Sequence, residues 1–531
     1  MDPIGVSPPR DEDVYLYFGP QRRWVLVSMW GSNTFTLFTL FLFSTLHPVL
    51  WVLLAVLGVT LVGWSLAVVD GQRQRRLTRL SHELLVKAWS PAVMPAVDVF
   101  LPSAGEDVAI LRNTFSYVHK LEWDGPLTVW VLDDAASPAV AALAAEFGFE
   151  YRTRPDRGRL KKAGNLNFGY AQSRGDLIVV FDADFCPRSD FLYHLAPYFA
   201  DENIGIVQSP QCFDTGPEQT WVERASAATQ EVFFRWLQPS RDADDAAICC
   251  GTNAVYRRTA LDAIGGFPKL DHSEDLFTGL EMRKVGFRMQ YVPVLIAKGI
   301  SPSTLGPFVN QQYRWCMGNL QVMVDPTFYR TRLPWRARVA FISGFINYVG
   351  TAANVFAVPI PILTMLLVYP QDVRPWHLLP FLPPVWICTV LLPAILHSHW
   401  RLEVVRLQTL QGLAYAVAVA HLIKRRQAAW VPTGAAAAKT PLARKVSWLA
   451  VVWLSATLAA AWVGFAHAGL TAGWHMVWTT AFFPIGYSHL ALPLIRDAWR
   501  TLNPRRRNPR RRHRAAHRER RSGRAAPVEL A

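Results

Sequence analysis

The stretch LIVVFDAD, residues 177–184, decides the fold of this chain. It opens with apolar and β-branched residues, a pattern typical of a strand within a sheet. It ends abruptly on Asp182-Ala183-Asp184. Residues two apart in an extended chain point to the same side, so both carboxylates leave the strand in one direction. We therefore predict an apolar strand that ends at a polar edge of a sheet.

Two stretches upstream repeat this pattern. VDVFLP (97–102) and LTVWVLDD (127–134) are short β-rich runs, and the segments 138–147 and 163–174 have helical patterns. Strands that alternate with helices predict a parallel α/β sheet. Ligands of such sheets bind beyond the carboxyl ends of the strands, which is where the acidic residues of this chain lie.

Two acidic pairs, Asp133-Asp134 and Asp182-Ala183-Asp184, are candidates for chemistry at this edge. Divalent metal ions prefer carboxylate oxygens and commonly bridge phosphates. A carboxylate can also deprotonate a hydroxyl group that attacks a substrate. The alternative is structural, because acidic residues at strand ends also cap turns.

Apolar runs flank the α/β region on both sides. The run at 49–69 is uncharged and long enough to cross a bilayer, whereas the run at 25–45 is diluted by small polar residues. The run at 339–369 is too long for one simple span, so we predict a short interfacial piece and then a span with a kink at Pro359 and Pro361. In total we expect about six spans. They lie at 25–45, 49–69, 339–369, 378–397, 447–467 and 475–495.

Basic residues orient these spans. RQRRLTR (73–79) follows the second span, and the positive-inside rule places it in the cytoplasm. The polar, basic segment 401–445 then lies on the same side, with an amphipathic helix near 404–423 on the membrane surface.

The predicted division of the chain follows: a cytoplasmic N-terminus (1–23), two transmembrane helices (24–70), a cytoplasmic α/β domain (90–335), two transmembrane helices (338–400), an interfacial helix and loop (401–445), two transmembrane helices (446–497) and an Arg-rich, disordered cytoplasmic tail (498–531).

The composition agrees with a membrane protein that carries a soluble domain. Of 531 residues, 51% are hydrophobic and 18% are charged. The net charge is +15, but residues 505–531 hold 11 arginines and two glutamates, so the tail carries +9 and the rest +6. We expect the tail to bind anionic lipid headgroups and expect no nucleic-acid partner.

Six cysteines without a CxxC pair predict neither a zinc site nor a disulfide framework. The polar N-terminus is not typical of a signal peptide.

Three other segments carry polar residues, and each has a structural alternative. Ser273-Glu274-Asp275 opens a helical pattern and also fits an ordinary N-cap. Gln311-Gln312-Tyr313-Arg314-Trp315 offers a phosphate-binding arginine and a ring that could stack on a sugar, or an interfacial helix. KKAGNLN (161–167) would suit a phosphate or donor-sugar contact, or a plain basic loop.

The order of these segments is far more specific than any one of them. An acid pair, KAGN, DAD, CCGTNAVYRR, SED and QQYRW follow one another in a single region. The region 95–330 resembles the processive family 2 glycosyltransferases, and most closely the catalytic subunits of bacterial cellulose synthases. It matches their D…DxD…TED…QxxRW set, and VDVFLPSAGED (97–107) looks like their first strand and loop. The resemblance implies an α/β GT-A domain inserted between transmembrane helices.

The resemblance also implies a role for each matched residue. Asp275, with Glu274 beside it, would be the base that deprotonates the acceptor hydroxyl. Asp182 and Asp184 would hold Mg²⁺ or Mn²⁺. The residues implied at the donor are Ser103, Glu106, Asp133, Asp134, Lys162, Asp182, Gln311, Arg314 and Thr433. Those implied at the acceptor and the mouth of a polymer channel are Cys250, Gly251, Thr252 and Trp315.

The activity implied is a single inverting transfer from a UDP-sugar, most simply UDP-glucose, to a growing β-linked polysaccharide that leaves through the membrane helices. The implied location is the plasma membrane, with the catalytic domain in the cytoplasm. Implied partners are the donor, the polymer, membrane lipids and accessory subunits of the envelope. Cyclic di-GMP is not expected, because the tail is too short and too polar for a PilZ domain. Three alternatives stay open: a synthase that uses UDP-N-acetylglucosamine, as for chitin, poly-N-acetylglucosamine or hyaluronan, a transferase of one sugar to a lipid carrier, and a non-enzymatic transporter or receptor.

The chain departs from the family pattern at a few positions. Ser273 replaces the usual Thr, Phe185 stands where His often follows DxD, and Ala135 replaces the Gly of DDG. Trp430 and Pro432 replace the Phe and Val of a gating loop that ends at Thr433.

Overall fold

The computed structural model describes residues 6–20, 23–214, 216, 219–395, 402–428 and 440–503. Thr433, the gating-loop segment around it and the tail from residue 504 lie outside the described residues.

The described strands form two sheets. Their bounds are β1 Val97–Ser103, β2 Leu127–Asp133, β3 Glu150–Arg152, β4 Leu177–Val180, β5 Phe185–Pro187, β6 Ile204–Gln208, β7 Cys212–Phe213, β8 Ala254–Arg257, β9 Arg288–Tyr291 and β10 Ala297–Gly299. The larger sheet has the order β3-β2-β1-β4-β8-β6-β9, and the smaller has the order β5-β10-β7.

Helices precede, interrupt and follow the sheets. Their bounds are α1 Arg23–Leu46, α2 Trp51–Gly71, α3 Arg79–Ala88, α4 Val108–Val118, α5 Pro138–Glu146, α6 Lys161–Gln172, α7 Phe191–Leu195, α8 Trp221–Val232, α9 Gln238–Asp242, α10 Arg258–Ile264, α11 Glu274–Lys284, α12 Leu305–Val324, α13 Pro326–Arg330, α14 Trp335–Ala357, α15 Ile360–Leu367, α16 Leu382–Trp386, α17 Leu392–Ile395, α18 Leu402–Ile423, α19 Pro441–Ala472, α20 Trp474–Val477 and α21 Phe482–Leu502.

The larger sheet is mostly parallel, as predicted. β1 pairs in parallel with both β2 and β4, β2 with β3, and β6 with β9. Among the described strands of this larger sheet, β8 is the reversed one, since it runs antiparallel to β4 and β6. The register of β1 and β2 sets Ser103 opposite Asp133, so the carboxyl ends of these strands meet at one edge.

Alternation along the central strands explains why they are apolar throughout. Val99 and Val179 join the core beneath α4 and α5, whereas Phe100 and Ile178 face the core with Leu166 of α6. All residues of β1 and β4 are buried, because helices cover both faces of a parallel sheet.

Long apolar helices mark the chain as a membrane protein. In the described residues, five helical stretches are long and apolar enough to cross a bilayer: Arg23–Leu46, Pro48–Gly71, Trp335–Leu367, Pro375–Ile395 and Pro441–Ala472. The break between α14 and α15 falls at Pro359, as predicted, but α14 runs unbroken from Trp335, so the separate interfacial piece predicted before the kink is wrong.

The last predicted span, 475–495, is less apolar than the others. Its region forms α20, a short 3₁₀ turn and α21. Arg496, Asp497 and Arg500 lie in the last turns of α21, and Asp497 accepts a hydrogen bond from the Trp221 indole of α8 at 3.0 Å. α21 is not among the long apolar stretches of the described chain.

Helix α18 forms where an amphipathic helix was predicted, but protein covers more of it than an interfacial helix requires. Val404, Leu407, Leu410 and Leu413 are fully buried. The helix packs against α8, α12 and α14. Its position on a membrane surface stays a prediction.

Candidate active site

A cavity of about 670 Å³ opens at the carboxyl edge of the larger sheet. Its wall takes residues from β1, the turn after β2, the segment after β4, the loop before α11, and α12. Most of the residues predicted for a site meet there. They are Ser103, Glu106, Asp134, Lys162, Asp182, Asp184, Cys250, Glu274, Asp275, Gln311, Arg314 and Trp315.

Three predicted residues lie behind this wall rather than in it: Asp133, Gly251 and Thr252. Asp133 is fully buried and accepts hydrogen bonds from the Ser103 hydroxyl, the Tyr151 hydroxyl and two backbone amides of the following turn. This carboxylate therefore shapes the turn after β2. For Asp133, therefore, the structural alternative is the one observed: this acidic residue at the end of a strand caps the turn that follows.

Asp134, next in the chain, reaches the cavity wall but is held by an arginine. Arg154 donates from Nε and Nη2 to the two carboxylate oxygens, each at 2.6 Å, and both side chains are almost fully buried. A bidentate pair of this kind fixes the carboxylate plane. Arg154 also donates to the Arg159 and Lys161 carbonyls, which orders the loop before α6.

That loop places Lys162 against the DAD motif. Leu160, just before α6, and Lys161, its first residue, both have positive φ angles, of 54° and 44°. The Lys162 ammonium contacts an Asp182 carboxylate oxygen and donates to the Gly251 carbonyl at 2.8 Å. Burial lowers the pKa of Lys162, but the carboxylates of Asp182 and Glu274 outweigh this effect, so the pKa is raised and the lysine is charged.

The DAD carboxylates share this part of the cavity with Glu106. Burial, together with the charges of Asp182 and Glu106, raises the pKa of Asp184 to about 7. Burial also raises the pKa of Glu106, whose carboxylate accepts a hydrogen bond from the Ala104 amide at 2.6 Å. A cation next to these carboxylates would offset their mutual repulsion and lower their pKa values again.

The loop before α11 brings the second acid pair to the cavity. Ser273 has a left-handed φ of 58° and makes no side-chain cap to the helix, so it is not the ordinary N-cap that was the alternative. Burial and the charge of Glu274 raise the pKa of Asp275 to about 7, and burial raises that of Glu274. A carboxylate with a pKa near neutrality is a stronger base than an ordinary aspartate.

The Cys250-Gly251-Thr252 segment supports this acid pair. Thr252 Oγ1 accepts a hydrogen bond from the Asp182 amide at 2.9 Å, which joins the DAD turn to this segment. Burial raises the pKa of the Cys250 thiol well above its usual value, so the thiol is neutral. Cys250 lies in the wall, while Gly251 and Thr252 are buried behind it.

Helix α12 closes the cavity. Gln311, Arg314 and Trp315 lie in its wall, while Gln312 is fully buried on another face of the helix. The Gln312 side-chain oxygen accepts hydrogen bonds from Gln411 at 2.7 Å and from Tyr415 at 2.9 Å, both of α18. The QQYRW motif thus joins the cavity to the helices that follow it.

Several residues in or beside the wall were not predicted from the sequence. Arg154 stands in a segment with several other arginines, and only the fold shows which of them meets Asp134. His272 and Ser301 also line the cavity. The position of His272 beside the SED motif was a signal that sequence reasoning could have used.

A family model named Glycosyl transferase family 21 matches residues 53–373. The chain belongs to glycosyl transferase family 21. The matched range includes the α/β domain, its cavity and the first helices after it. The chain is accordingly a glycosyltransferase. The alternative hypothesis of a transporter or receptor without enzymatic activity is wrong.

Curated relatives connect the chain with cellulose synthases. It is 30% identical over 321 residues to cellulose synthase 1 of Komagataeibacter xylinus, which covers 59% of this chain and 20% of the relative. It is 30% identical over 260 residues to the UDP-forming cellulose synthase catalytic subunit of Xanthomonas axonopodis pv. citri (strain 306), covering 48% of this chain and 36% of that one. The chain thus spans only a fifth to about a third of the length of these relatives. The predicted resemblance to cellulose synthases is confirmed.

One solved structure extends the likeness to the fold. The mannosyltransferase PcManGT from Pyrobaculum calidifontis, solved in complex with GDP-Man and Mn²⁺, superposes with a TM-score of 0.50 at 16% identity. The match covers 73% of this chain and 100% of that one. The predicted GT-A fold joined to membrane helices is confirmed.

Proposed function

We propose that this glycosyltransferase is processive and inverting, and that it polymerises a UDP-sugar at the cytoplasmic face of the plasma membrane. The donor in this proposal is UDP-glucose, and the product is a β-1,4-glucan of the cellulose type. The polymer crosses the membrane through the helices of the same chain.

One observation carries the proposal. A single cavity gathers the DAD carboxylates, the SED carboxylates and the α12 motif, which lie far apart in the sequence. A transfer from a nucleotide sugar needs these three elements: a cation site for the diphosphate, a base for the acceptor, and positive charge against the leaving group. The likeness to cellulose synthases favours glucose as the sugar.

Asp275 is the proposed base. Its raised pKa lets it take the proton of an acceptor hydroxyl near neutral pH. Its Oδ1 accepts a hydrogen bond from the Leu276 amide at 2.8 Å, which fixes the carboxylate at the start of α11. A single base is sufficient for an inverting displacement, because the acceptor attacks the sugar directly and no enzyme-bound sugar has to be released.

Asp182 and Asp184 are the proposed metal ligands. Their oxygens are of the hard type that Mg²⁺ and Mn²⁺ prefer. Burial and then the charges of Asp182 and Glu106 raise the pKa of Asp184, and a cation would offset those charges. In the part of the chain that the structure describes, no cluster of three or more His, Cys, Asp or Glu side chains could hold a metal alone. Mg²⁺ is commonly held by one or two carboxylates plus the phosphates of the substrate, so this pair fits it. When bound, the ion would neutralise charge on the departing diphosphate.

Arg314 and Lys162 supply the protein's own positive charge. Burial lowers the pKa of Arg314, which nevertheless stays charged near the carboxylates of Asp182 and Glu274. Lys162 holds Asp182 in place from the other side. In the proposed function these cations orient the diphosphate and stabilise it as the bond to the sugar breaks.

The contact between the cavity and the membrane helices supports export of the product. Helix α12 carries Trp315 at the cavity, and its buried Gln312 bonds to α18. Since α12 also packs against α14 and α19, a polymer that grows at Trp315 starts next to the membrane helices.

The test is incorporation of labelled sugar by the full chain, purified in detergent with Mg²⁺ or Mn²⁺. We expect label from UDP-glucose to enter an insoluble polymer that a β-1,4-specific glucanase digests. Incorporation only from UDP-N-acetylglucosamine would mean that this sugar nucleotide, and not UDP-glucose, is the donor. A labelled glycolipid without polymer would mean that the enzyme transfers a single sugar to a lipid and is not processive. Retained synthesis in an Asp275→Asn variant would overturn the assignment of the base.

A further inference from the structure

The segment 250–252 touches both halves of the proposed site. The hydroxyl of its last residue accepts a hydrogen bond from the Asp182 amide at 2.9 Å. The carbonyl of Gly251, in its middle, accepts a hydrogen bond from Lys162 at 2.8 Å. Gly251 also packs directly against Asp275. The segment therefore lies between the proposed metal ligand and the proposed base.

Side chains hold the backbone of this segment. The segment ends before β8, which begins at Ala254, and each of its three carbonyls accepts a hydrogen bond from a side chain. The donors are Gln211 for the Cys250 carbonyl at 2.9 Å, Lys162 for the Gly251 carbonyl at 2.8 Å and Gln208 for the Thr252 carbonyl at 2.8 Å. Buried backbone carbonyls need such partners, so the position of the segment depends on these three side chains.

Gln208, the last residue of β6, bonds to both ends of the segment. It is fully buried and lies behind the cavity wall. Its Oε1 accepts a hydrogen bond from the Cys250 amide at 2.9 Å. Its Nε2 donates to the Thr252 carbonyl at 2.8 Å and to the Ser209 carbonyl at 2.7 Å. A side-chain amide has the one acceptor and the two donors that this arrangement uses.

We propose that Gln208 is a positioning residue for sugar transfer, which sets the distance between Asp275 and Asp182 by holding the segment between them. The inference rests on the proposed function, since it takes Asp275 as the base. Gln208 touches neither donor nor acceptor, so it acts on the transfer step through Gly251 and Thr252. If the segment moves, Asp275 loses its alignment with the acceptor hydroxyl and with the sugar that the metal half of the site holds.

The experiment compares kcat and UDP affinity in Gln208→Met and in the wild type, with the full chain in detergent and Mn²⁺. Methionine has a similar length but lacks the amide's donors and its carbonyl acceptor. A misplacement of about 1 Å typically costs on the order of 10²-fold in rate, and we expect kcat to fall by about that factor. The affinity for UDP should change far less, because every residue that faces the diphosphate is still present. Rates are divided by the number of UDP-binding sites, so that unfolded protein does not count.

Gln290→Met is the matched control. Gln290 lies on β9, which pairs with β6. Its amide donates to Asp242 at 2.8 Å and to the Tyr291 carbonyl at 3.1 Å, and neither partner belongs to the segment. This variant removes a glutamine amide from the same sheet, so it should keep the kcat of the wild type even where it lowers the Tm.

Gln208→Glu distinguishes positioning from a merely structural role. A protonated carboxyl keeps an acceptor for the Cys250 amide and one donor for the Thr252 carbonyl, whereas an ionised one has no donor. Burial favours the protonated form. At pH 6 we therefore expect a higher kcat in Gln208→Glu than in Gln208→Met. If the methionine variant does not fold, Gln208→Asn takes its place, because its shorter side chain cannot reach both ends of the segment.

The outcomes separate the two proposals. If kcat per UDP-binding site in Gln208→Met equals that of the wild type, the inference is overturned while the proposed function stands. The same holds if Gln208→Glu is no more active than Gln208→Met at pH 6. If a folded Gln208→Met loses UDP binding, Gln208 supports donor binding rather than the transfer step, and the inference is again overturned. If the wild type transfers no sugar from UDP-glucose or UDP-N-acetylglucosamine, the proposed function falls and the inference falls with it.

Discussion

Gly251 and Asp275 are packed so closely that a Cβ atom on Gly251 would lie 2.7 Å from Oδ2 of Asp275. It would also lie 3.2 Å from the Asp275 Cβ and Cγ atoms. Gly251 has a φ of 75°, a left-handed conformation that glycine adopts without cost. Gly251 therefore packs directly against the proposed base, and only a residue without a side chain leaves room for Asp275 in its present position.

Gly251→Ala should displace Asp275 and reduce sugar transfer. A shift of about 1 Å at a catalytic group typically costs on the order of 10²-fold in rate. Gly265→Ala is the matched control, because Gly265 has a φ of 76° but a Cβ added there would meet no atom within 4 Å. Both variants carry the same backbone strain of about 1 kcal/mol. Equal activity in the two would contradict the role of the contact.

Asp275→Asn should abolish synthesis and leave UDP binding intact. Loss of a general base typically lowers the rate by about 10²–10⁴-fold. Asp271→Asn serves as the control, since Asp271 lines the same cavity but has no role in the proposed transfer. In the wild type, activity should rise as the pH passes through about 7, where Asp275 loses its proton. A flat profile from pH 6 to pH 8 would contradict the assignment.

The same substitution should stabilise the fold at high pH. The pKa of Asp275 is raised from 3.8 to about 7 in the folded chain. Well below pH 3.8 the carboxyl is protonated in both states. As the pH rises from there to 7, the unfolded state loses the proton first and the fold loses stability. An asparagine side chain carries no such penalty, so the variant should be more stable than the wild type at pH 8 by on the order of a few kcal/mol and about equal near pH 3. Thermal unfolding at the two pH values measures the difference.

The strands and the acid pairs of the site could be predicted from the sequence, because a strand and its carboxyl end are local patterns. VDVFLP and LIVVFDAD became β1 and the segment from β4 onward. The reversed strand β8 could not be predicted, since nothing within Ala254–Arg257 tells which way it pairs. Its direction depends on how the chain between β6 and β8, which includes α8 and α9, returns to the sheet.

The distinction between Asp133 and Asp134 was also beyond the sequence. Both follow the same strand, yet Asp133 turns inward to four donors and Asp134 reaches the cavity with Arg154. Which of two adjacent carboxylates is buried depends on the partner that the fold brings to it. Ser273 is a similar case, because the sequence alone fits an ordinary N-cap there. The contact between α12 and this loop, at Gly318 and Ser273, is visible only in the fold.

Divalent metal should stabilise the folded chain through Asp184. A ligand that binds only the folded state stabilises it by RT ln(1 + [L]/Kd), about 2.7 kcal/mol at a hundredfold excess over Kd. We expect Mn²⁺ with UDP to raise the Tm of the wild type at pH 7.5 and to raise that of Asp184→Asn much less. Asp190→Asn, in an ion pair with Arg188 outside the cavity, is the control for loss of a carboxylate. If the Tm of Asp184→Asn rose as much as that of the wild type, Asp184 would not be a metal ligand.

Gly318→Ala tests whether α12 positions the loop that carries the acid pair. A Cβ on Gly318 would overlap the Oγ and Cβ atoms of Ser273, so either the helix or the loop would have to move. In a helix interior, Gly→Ala ordinarily stabilises by about 0.5–1 kcal/mol. Gly279→Ala in α11, with nothing within 4 Å, should show that gain and keep full activity. Gly318→Ala should lose both the gain and most of the sugar transfer, because Ser273 directly precedes Glu274 and Asp275. Full activity together with increased stability would mean that the loop keeps its position without this contact.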